Sequence, residues 1–313
     1  MKIDLVYLWV NGNDPKWLAK KNAYSTEEKI EIADLDCQGR YADSDELKFS
    51  LRSVEKFANW VNKIYIVTNN QTPVWLDLSN PKVKIIDHSE ILPAEIQPCF
   101  NGLAVENFMY KIPELSEYFL YSNDDMFFNK PLQPDFFFAA DGLPFARLYK
   151  YKHNEFEGKW RLMWKNFRNQ LDYWKFLNFN VARKVEKVTG KFYGSLPHHN
   201  IDGYRKSDFA KTMEVFAEEV KKTSFHRIRE KDDFFRGCVN YYSLATKRAY
   251  LLYVKSQNSL VINVDEKDYE QKLSVYKPEL FCINDHPNVS NKDRIRMRDF
   301  LENYFPKKSE FEK

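Results

Sequence analysis

Glycine is scarce in this chain, with 9 among 313 residues. Neither GxGxxG nor GxxxxGK(S/T) occurs, so no glycine-rich loop is available to cradle phosphates. Cysteine is scarcer still: Cys37, Cys99, Cys238 and Cys282 stand singly, with no CxxC pair. That pattern excludes a zinc ribbon and a dithiol redox motif, and predicts reduced, buried thiols in a cytoplasmic protein. No run approaches the roughly 20 apolar residues of a membrane span. The opening MKIDLVYLWVNGND turns polar by Asn11, too soon for a signal peptide. An excess of one charge is missing too: 48 Lys and Arg against 45 Asp and Glu leave +3. The sequence pI of 8.4 falls short of the basic face a nucleic-acid binder needs, so no nucleic acid is expected as a partner.

What the chain does have is 43% hydrophobic and 30% charged residues, including 7 Trp, 19 Tyr and 25 Phe. This is the composition of a soluble globular protein. At about 150 residues per domain the length allows two domains or one large α/β domain. Without a repeat, a low-complexity tract or a long linker, the expectation is one domain over 1–313 with a helical insertion at 153–195.

Apolar runs predict buried strands at Ile3–Val10, Lys63–Thr68, Val83–Asp87 and Tyr118–Tyr121. Between them, Ser44–Ala58 carries Leu47, Leu51, Val54 and Phe57 at helical spacing, with Ser44 or Asp43 as N-cap. Asn101–Ile112 reads as a further helix. The alternation predicts an α/β fold with a mostly parallel, Rossmann-like sheet flanked by helices. Ligands of such sheets sit beyond the carboxyl ends of the strands. Three polar clusters fall there: Asn11–Asp14, Asn69–Asn70 and Asn123–Asp125. Further along, Pro144–Lys152 reads as a strand and Trp160–Lys187 as helical, aromatic and basic. Arg205–Lys221 and Lys231–Leu244 read as helices, Ala249–Val254, Ser259–Val264 and Phe281–Asp285 as strands, and Asn291–Asn303 as a last helix.

Asn123-Asp124-Asp125 follows a strand and precedes the apolar Met126-Phe127-Phe128. An acidic turn on a rigid base suits a hard divalent cation, which takes one or two carboxylates and completes its shell with water and phosphate. Asn and Asp are also ordinary turn residues there. His198-His199 offers a base of near-neutral pKa, and Arg205 and Arg229 offer forks that match phosphate oxygens. The basic aromatic stretch Trp160–Lys187 suits an acceptor or a membrane surface, or an ordinary packed helix pair.

These residues resemble the Stealth phosphotransferases, which include bacterial capsular polysaccharide phosphotransferases and the catalytic subunit of the lysosomal-enzyme N-acetylglucosamine-1-phosphotransferase. IDLVYLWVNGNDP (Ile3–Pro15) resembles the first signature block. Arg40–Pro131 resembles the second, with DELKFSLRSVEK, WVNKIYIVTNNQTPVWL, FNGLAVENF and LSEYFLYSNDDMFFNKP in order. His199 through KTSFHRIR at Lys222–Arg229 resembles the third. FCIND followed by Phe305–Lys313 resembles the fourth. Departures are Leu103 and Tyr110, where the family's helix commonly carries histidines, and Lys48 within ELKFSLR.

The resemblance implies a glycosyltransferase-A-like sheet and transfer of a hexose 1-phosphate from a UDP-sugar to an acceptor glycan hydroxyl, releasing UMP. Carried over by position, Asn11, Gly12, Asp14, Arg52 and Asn123 would bind the nucleotide-sugar donor. Asp124 and Asp125 would hold Mg²⁺ (or Mn²⁺). Asp124, His199 and Arg229 would be catalytic, His199 as base for the acceptor hydroxyl and Arg229 on the phosphoryl oxygens. Glu106 matches a motif position. The implied acceptor is lipid-linked or a polysaccharide, and the implied location is the cytoplasm with peripheral contact at the inner membrane face. The competing readings are a metal-dependent glycosyltransferase releasing UDP and a glycan-binding module without turnover.

Overall fold

The structure is a computed structural model that describes residues 1–24, 38–150 and 155–313; Cys37 lies outside the described residues. Its elements run β1 (Ile3–Leu8), α1 (Pro15–Asn22), α2 (Glu46–Phe57), β2 (Ile64–Thr68), β3 (Val83–Asp87), α3 (His88–Ile91), α4 (Gly102–Glu106), β4 (Tyr118–Asn123) and β5 (Met126–Phe128). Next come β6 (Phe145–Tyr149), α5 (Glu155–Phe167), α6 (Tyr173–Thr189), β7 (Asp202–Arg205), α7 (Lys206–Val215) and α8 (Ala217–Ser224). The chain ends with α9 (Gly237–Ala245), β8 (Tyr250–Val254), β9 (Ser259–Asn263), α10 (Tyr269–Tyr276), β10 (Leu280–Asn284) and α11 (Asn291–Tyr304).

The central sheet has the order β3-β2-β1-β4-β7. β1 pairs in parallel with β2 and β4, β2 with β3, and only β7 runs antiparallel. The expected mostly parallel α/β sheet is therefore present. Both of its faces are covered, which is why its strands read as unbroken apolar runs. Val6, Val67 and Phe119 enter one core, and Leu5, Tyr7 and Leu120 enter the other. A second sheet, β5-β10-β9, folds beside it. Phe127 of β5 stacks on Phe281 of β10 at 4.8 Å, so the chain just after Asp125 is anchored on two layers at once.

Several expected boundaries moved. The N-cap of α2 is Asp45, in left-handed backbone at φ 70°, rather than Ser44 or Asp43. Asp43 accepts from the Asp45 amide at 3.1 Å, and Glu46 turns back to the Ser44 amide at 2.6 Å, so a local acidic turn precedes the helix. The helix expected over Asn101–Ile112 is reduced to the short α4. There the Asn107 amide closes onto Ala104 and the Asn107 side chain donates to the Phe234 carbonyl at 2.8 Å. The helix expected over Arg205–Lys221 breaks at Phe216, whose ring packs on Phe234 at 5.2 Å and Tyr242 at 5.8 Å. The one expected over Lys231–Leu244 starts only at Gly237, because the buried Asp233 takes the Glu230 amide at 3.0 Å.

Candidate active site

The carboxyl ends of β1, β2, β3 and β4 open into one cavity of about 550 Å³. Trp9 and Val10 follow β1, Asn69 follows β2, His88 follows β3, and Asn123–Asp125 close β4. Trp174 of α6, His199, and Arg229 on the loop after α8 line the same cavity. Two of the three strand-end polar clusters, through Asn69 and Asn123–Asp125, thus share one space with the distant His199 and Arg229, as the strand-end rule for parallel sheets leads one to expect of a ligand site.

Part of the cavity lining is acidic. Burial pushes the Asp125 carboxyl up to about 7. Burial also raises Asp124 well above the carboxylate range, reinforced by Asp125, Glu46 and Asp43. Glu46 is pushed up to about 8 by burial and by Asp43. Carboxylates crowded out of water resist ionisation unless a cation joins them. Asp125 Oδ1 is buried with no hydrogen-bond partner. Asp125, His199 and Cys282 each place one ligand atom within 4.8 Å of the others. Burial pushes the Cys282 thiol up, and neighbouring Asp125 pushes it further, so it stays protonated. An orphaned carboxylate oxygen among carboxylates fits a hard divalent cation better than a thiolate-bound soft one.

Basic groups line the cavity as well. His199 is not near the ordinary histidine range: burial lowers it to about 4, and Arg236, His198, Arg229 and Arg40 repel its protonated form. It is neutral at neutral pH and has a lone pair to offer. Its neighbour His198 is held elsewhere, with Nε2 2.7 Å from Asp202 Oδ1 and its side chain fully buried. Arg229 lies over the Trp174 ring at 5.8 Å, and its Nη1 is buried without a partner. Behind them Arg236 donates to Tyr204 Oη at 2.8 Å, lies 3.4 Å from Glu106 and covers the Tyr121 ring at 4.1 Å. Tyr121 Oη is 2.9 Å from Glu106 and 2.5 Å from Asn123 Oδ1. This chain of contacts fixes the turn that carries the two aspartates.

The other expected donor-site residues shape the wall without bordering the cavity. Gln71 receives the Asn11 amide at 3.0 Å and donates to the Asn11 carbonyl at 2.9 Å and to Asp14 at 3.1 Å. Asp14 is the N-cap of α1. The Gly12 amide donates to the Tyr41 carbonyl at 2.7 Å, and a Cβ at Gly12 would come within 2.5 Å of that oxygen. Only glycine allows Tyr41 to line the cavity there. Arg52, expected at the donor, does not border the cavity either. It is buried in a fork to Glu312 at 2.8 Å, with Nη1 on Glu302 at 2.9 Å and on the Phe305 carbonyl at 2.7 Å. Its charge ties α2 to the C-terminal segment.

Sequence reading missed Glu46, His88 and Arg236 as cavity residues, and included Trp174 only within the basic aromatic stretch Trp160–Lys187. Glu46 could have been suspected from its acidic run, and His88 from its place just after a strand. Arg236 had no local signal.

Comparison with known proteins identifies the family. Stealth protein conserved region 1 matches residues 1–29, conserved region 2 matches 40–146, and conserved region 4 matches 274–313. The exopolysaccharide phosphotransferase cps2G of Lactiplantibacillus plantarum is 32% identical, covering 99% of this chain and 96% of that protein. The receptor polysaccharide phosphotransferase WefC of Streptococcus oralis is 30% identical, covering 99% of each. The capsular polysaccharide phosphotransferase SacB of Neisseria meningitidis serogroup A is 31% identical over 99% of this chain but 57% of its own length. Among solved structures, the galactosyltransferase LgtC in complex with donor and acceptor sugar analogs aligns over 98% of each chain at TM-score 0.46 and 10% identity. With three conserved regions matched in order and relatives similar along the whole chain, this protein belongs to the Stealth family.

Proposed function

We propose that this protein transfers a hexose 1-phosphate from a nucleotide-activated sugar, a UDP-sugar, to a hydroxyl of a glycan acceptor in cell-surface polysaccharide synthesis. The observation that carries this reading is the polarity of the cavity: a crowded carboxylate cluster shares one space with a neutral histidine and with the half-buried Arg229, whose Nη1 has no partner. Phosphoryl transfer is mostly positioning and charge neutralisation, and it needs both poles. The relatives named phosphotransferases support the same class.

In this reading Asp124 and Asp125 hold a divalent cation, Mg²⁺ or Mn²⁺, which supplies charge neutralisation on the donor diphosphate. Asn123 is held by Tyr121, so the aspartate turn is set before the donor binds. His199, neutral and with a free lone pair, accepts the proton of the acceptor hydroxyl. The hydroxyl oxygen bonds to the sugar-linked phosphorus, the bridging phosphoanhydride P–O bond breaks, and UMP leaves with that oxygen. Arg229 meets the non-bridging oxygens, and Arg236 keeps Glu106 in place behind it. Asn69 Nδ2 and His88 Nδ1, both buried without partners, stand at the ends of adjacent strands, since Thr68 pairs with Asp87. In this reading they meet the nucleobase edge.

The test is to identify the nucleotide released from a panel of UDP-sugars with acceptor extract and Mg²⁺. UMP supports the phosphotransferase. UDP would assign a glycosyltransferase of the same donor, and metal-independent glycan binding without any release would assign a binding module.

A further inference from the structure

Helix α5 turns Leu162 into the core and turns Trp160, Trp164 and Phe167 outward, with 58%, 61% and 82% of their surfaces exposed. Positions i, i+4 and i+7 lie in one stripe along a helix. Arg161, Lys165 and Arg168 are exposed beside that stripe. The Arg168 guanidinium reaches over the Trp164 ring at 5.8 Å, and the Trp164 and Phe167 rings are 6.3 Å apart.

The charge there is not ordinary surface charge. Residues 155–191 hold nine Lys and Arg against four Asp and Glu, an excess greater than the +3 of the whole chain. Lys159, Lys175 and Lys184 are neutralised by Glu186, Asp172 and Glu219. Arg161, Lys165 and Arg168 have no ion pair with an acid more distant than the neighbouring turn among the described residues. Three bulky rings in water are unfavourable, and three uncompensated cations beside them select an anionic partner. A groove that stacks sugars would enclose the rings and add hydrogen-bonding groups, whereas these rings are exposed and none of them lines the cavity. An anionic bilayer satisfies both halves of the stripe: rings enter the headgroup boundary and cations meet lipid phosphates.

We propose that α5 docks this protein on an anionic membrane surface through Trp160, Trp164 and Phe167, with Arg161, Lys165 and Arg168 on the lipid phosphates. Helix α6 follows and carries Trp174, which lines the cavity and lies 5.8 Å beneath both Arg40 and Arg229. Docking through α5 therefore brings these basic groups of the cavity close to lipid-borne acceptors. That last step rests on the proposed transferase activity; the docking does not.

The test is co-sedimentation of the full chain with vesicles of phosphatidylcholine alone or mixed with phosphatidylglycerol, at low and high salt. Binding to the mixed vesicles is expected, on the order of a hundredfold weaker to the neutral ones and weakened by salt. The triple variant Arg161→Glu, Lys165→Glu, Arg168→Glu and the pair Trp164→Ser, Phe167→Ser should each lose binding while keeping the wild-type circular dichroism. The pair Trp160→Phe, Trp164→Phe should still bind but lose the tryptophan quenching that brominated lipid produces in the wild type. Equal binding to neutral vesicles, no binding to either, or quenching unchanged in that pair overturns the proposal. A dimer in light scattering that the Trp164→Ser, Phe167→Ser pair dissolves, without vesicle binding, assigns the face to a second copy of this chain instead. The readout is binding, so a failed transfer assay leaves it standing and a failed sedimentation leaves the transferase reading standing.

Discussion

Asp202 holds His198 by a 2.7 Å contact to Nε2, and this contact leaves the adjacent His199 as the imidazole beside the carboxylates. Successive side chains in an extended segment point apart, so anchoring one in the core sends the other into the cavity. His199→Ala should lower kcat by roughly 10²- to 10⁴-fold with little change in donor affinity, the usual weight of a general base. His198→Ala leaves Asp202 without its ring partner and should reduce thermal stability first. A stable, inactive His198→Ala beside an active His199→Ala would reverse the two roles.

Asp125 carries a different signature, because its carboxyl is crowded by neighbours of the same sign. Replacing it with Asn removes a charge that the metal-free protein holds at a cost. Asp125→Asn should abolish transfer yet melt above the wild type in EDTA. Added Mg²⁺ should raise the melting temperature of the wild type and not that of the variant. A variant that melts lower in EDTA, or that keeps turnover, would count against the assignment.

Much of this arrangement is legible in the sequence because parallel strands announce themselves as short apolar runs closed by Asn and Asp. The ends of β1, β2 and β4 could therefore be placed on one edge before any coordinates. His199 and Arg229 could be brought to that edge only through the resemblance, since no local periodicity reports a contact across the fold. Arg52 shows the reverse failure. It matches a motif position, yet its partner Glu312 lies 260 residues away, and nothing near Arg52 reveals that its charge is already neutralised. The break at Phe216 is likewise set by Phe234 and Tyr242, not by the helical pattern around it.

The Arg52–Glu312 pair gives a pH prediction whose sign can be worked out. Burial alone would raise the Glu312 carboxyl, but hydrogen bonds from Arg52 and Ser309 hold it below the ordinary glutamate value. A depressed carboxyl contributes stability above its unfolded pKa of about 4.3, and loses it as pH falls through the lower folded value. The melting temperature of the wild type should exceed that of Glu312→Gln by a constant margin above about pH 5, and the margin should shrink below about pH 4. Arg52→Ala, which strands a buried carboxylate with a side chain 4% exposed, should cost about 3–5 kcal/mol. The donor KM of the folded fraction should stay at the wild-type value, because Arg52 does not border the cavity.

Asn69 and His88 should behave in the opposite way. Both sit at the ends of neighbouring strands with buried polar atoms that no side chain or backbone group satisfies, and an unpaired buried donor or acceptor costs about 1–3 kcal/mol. A ligand that pairs with them recovers that cost on binding. Asn69→Ala and His88→Ala should therefore leave the empty protein as stable as the wild type, or slightly more so. Each should raise donor KM by roughly 5- to 100-fold with kcat nearly unchanged, since a group that binds the base equally in ground and transition states acts on KM alone. Calorimetry with nucleoside monophosphates checks this directly: UMP should bind the wild type more tightly than CMP or AMP, and both variants should lose that preference. Retained discrimination in both would place the base at another wall of the cavity.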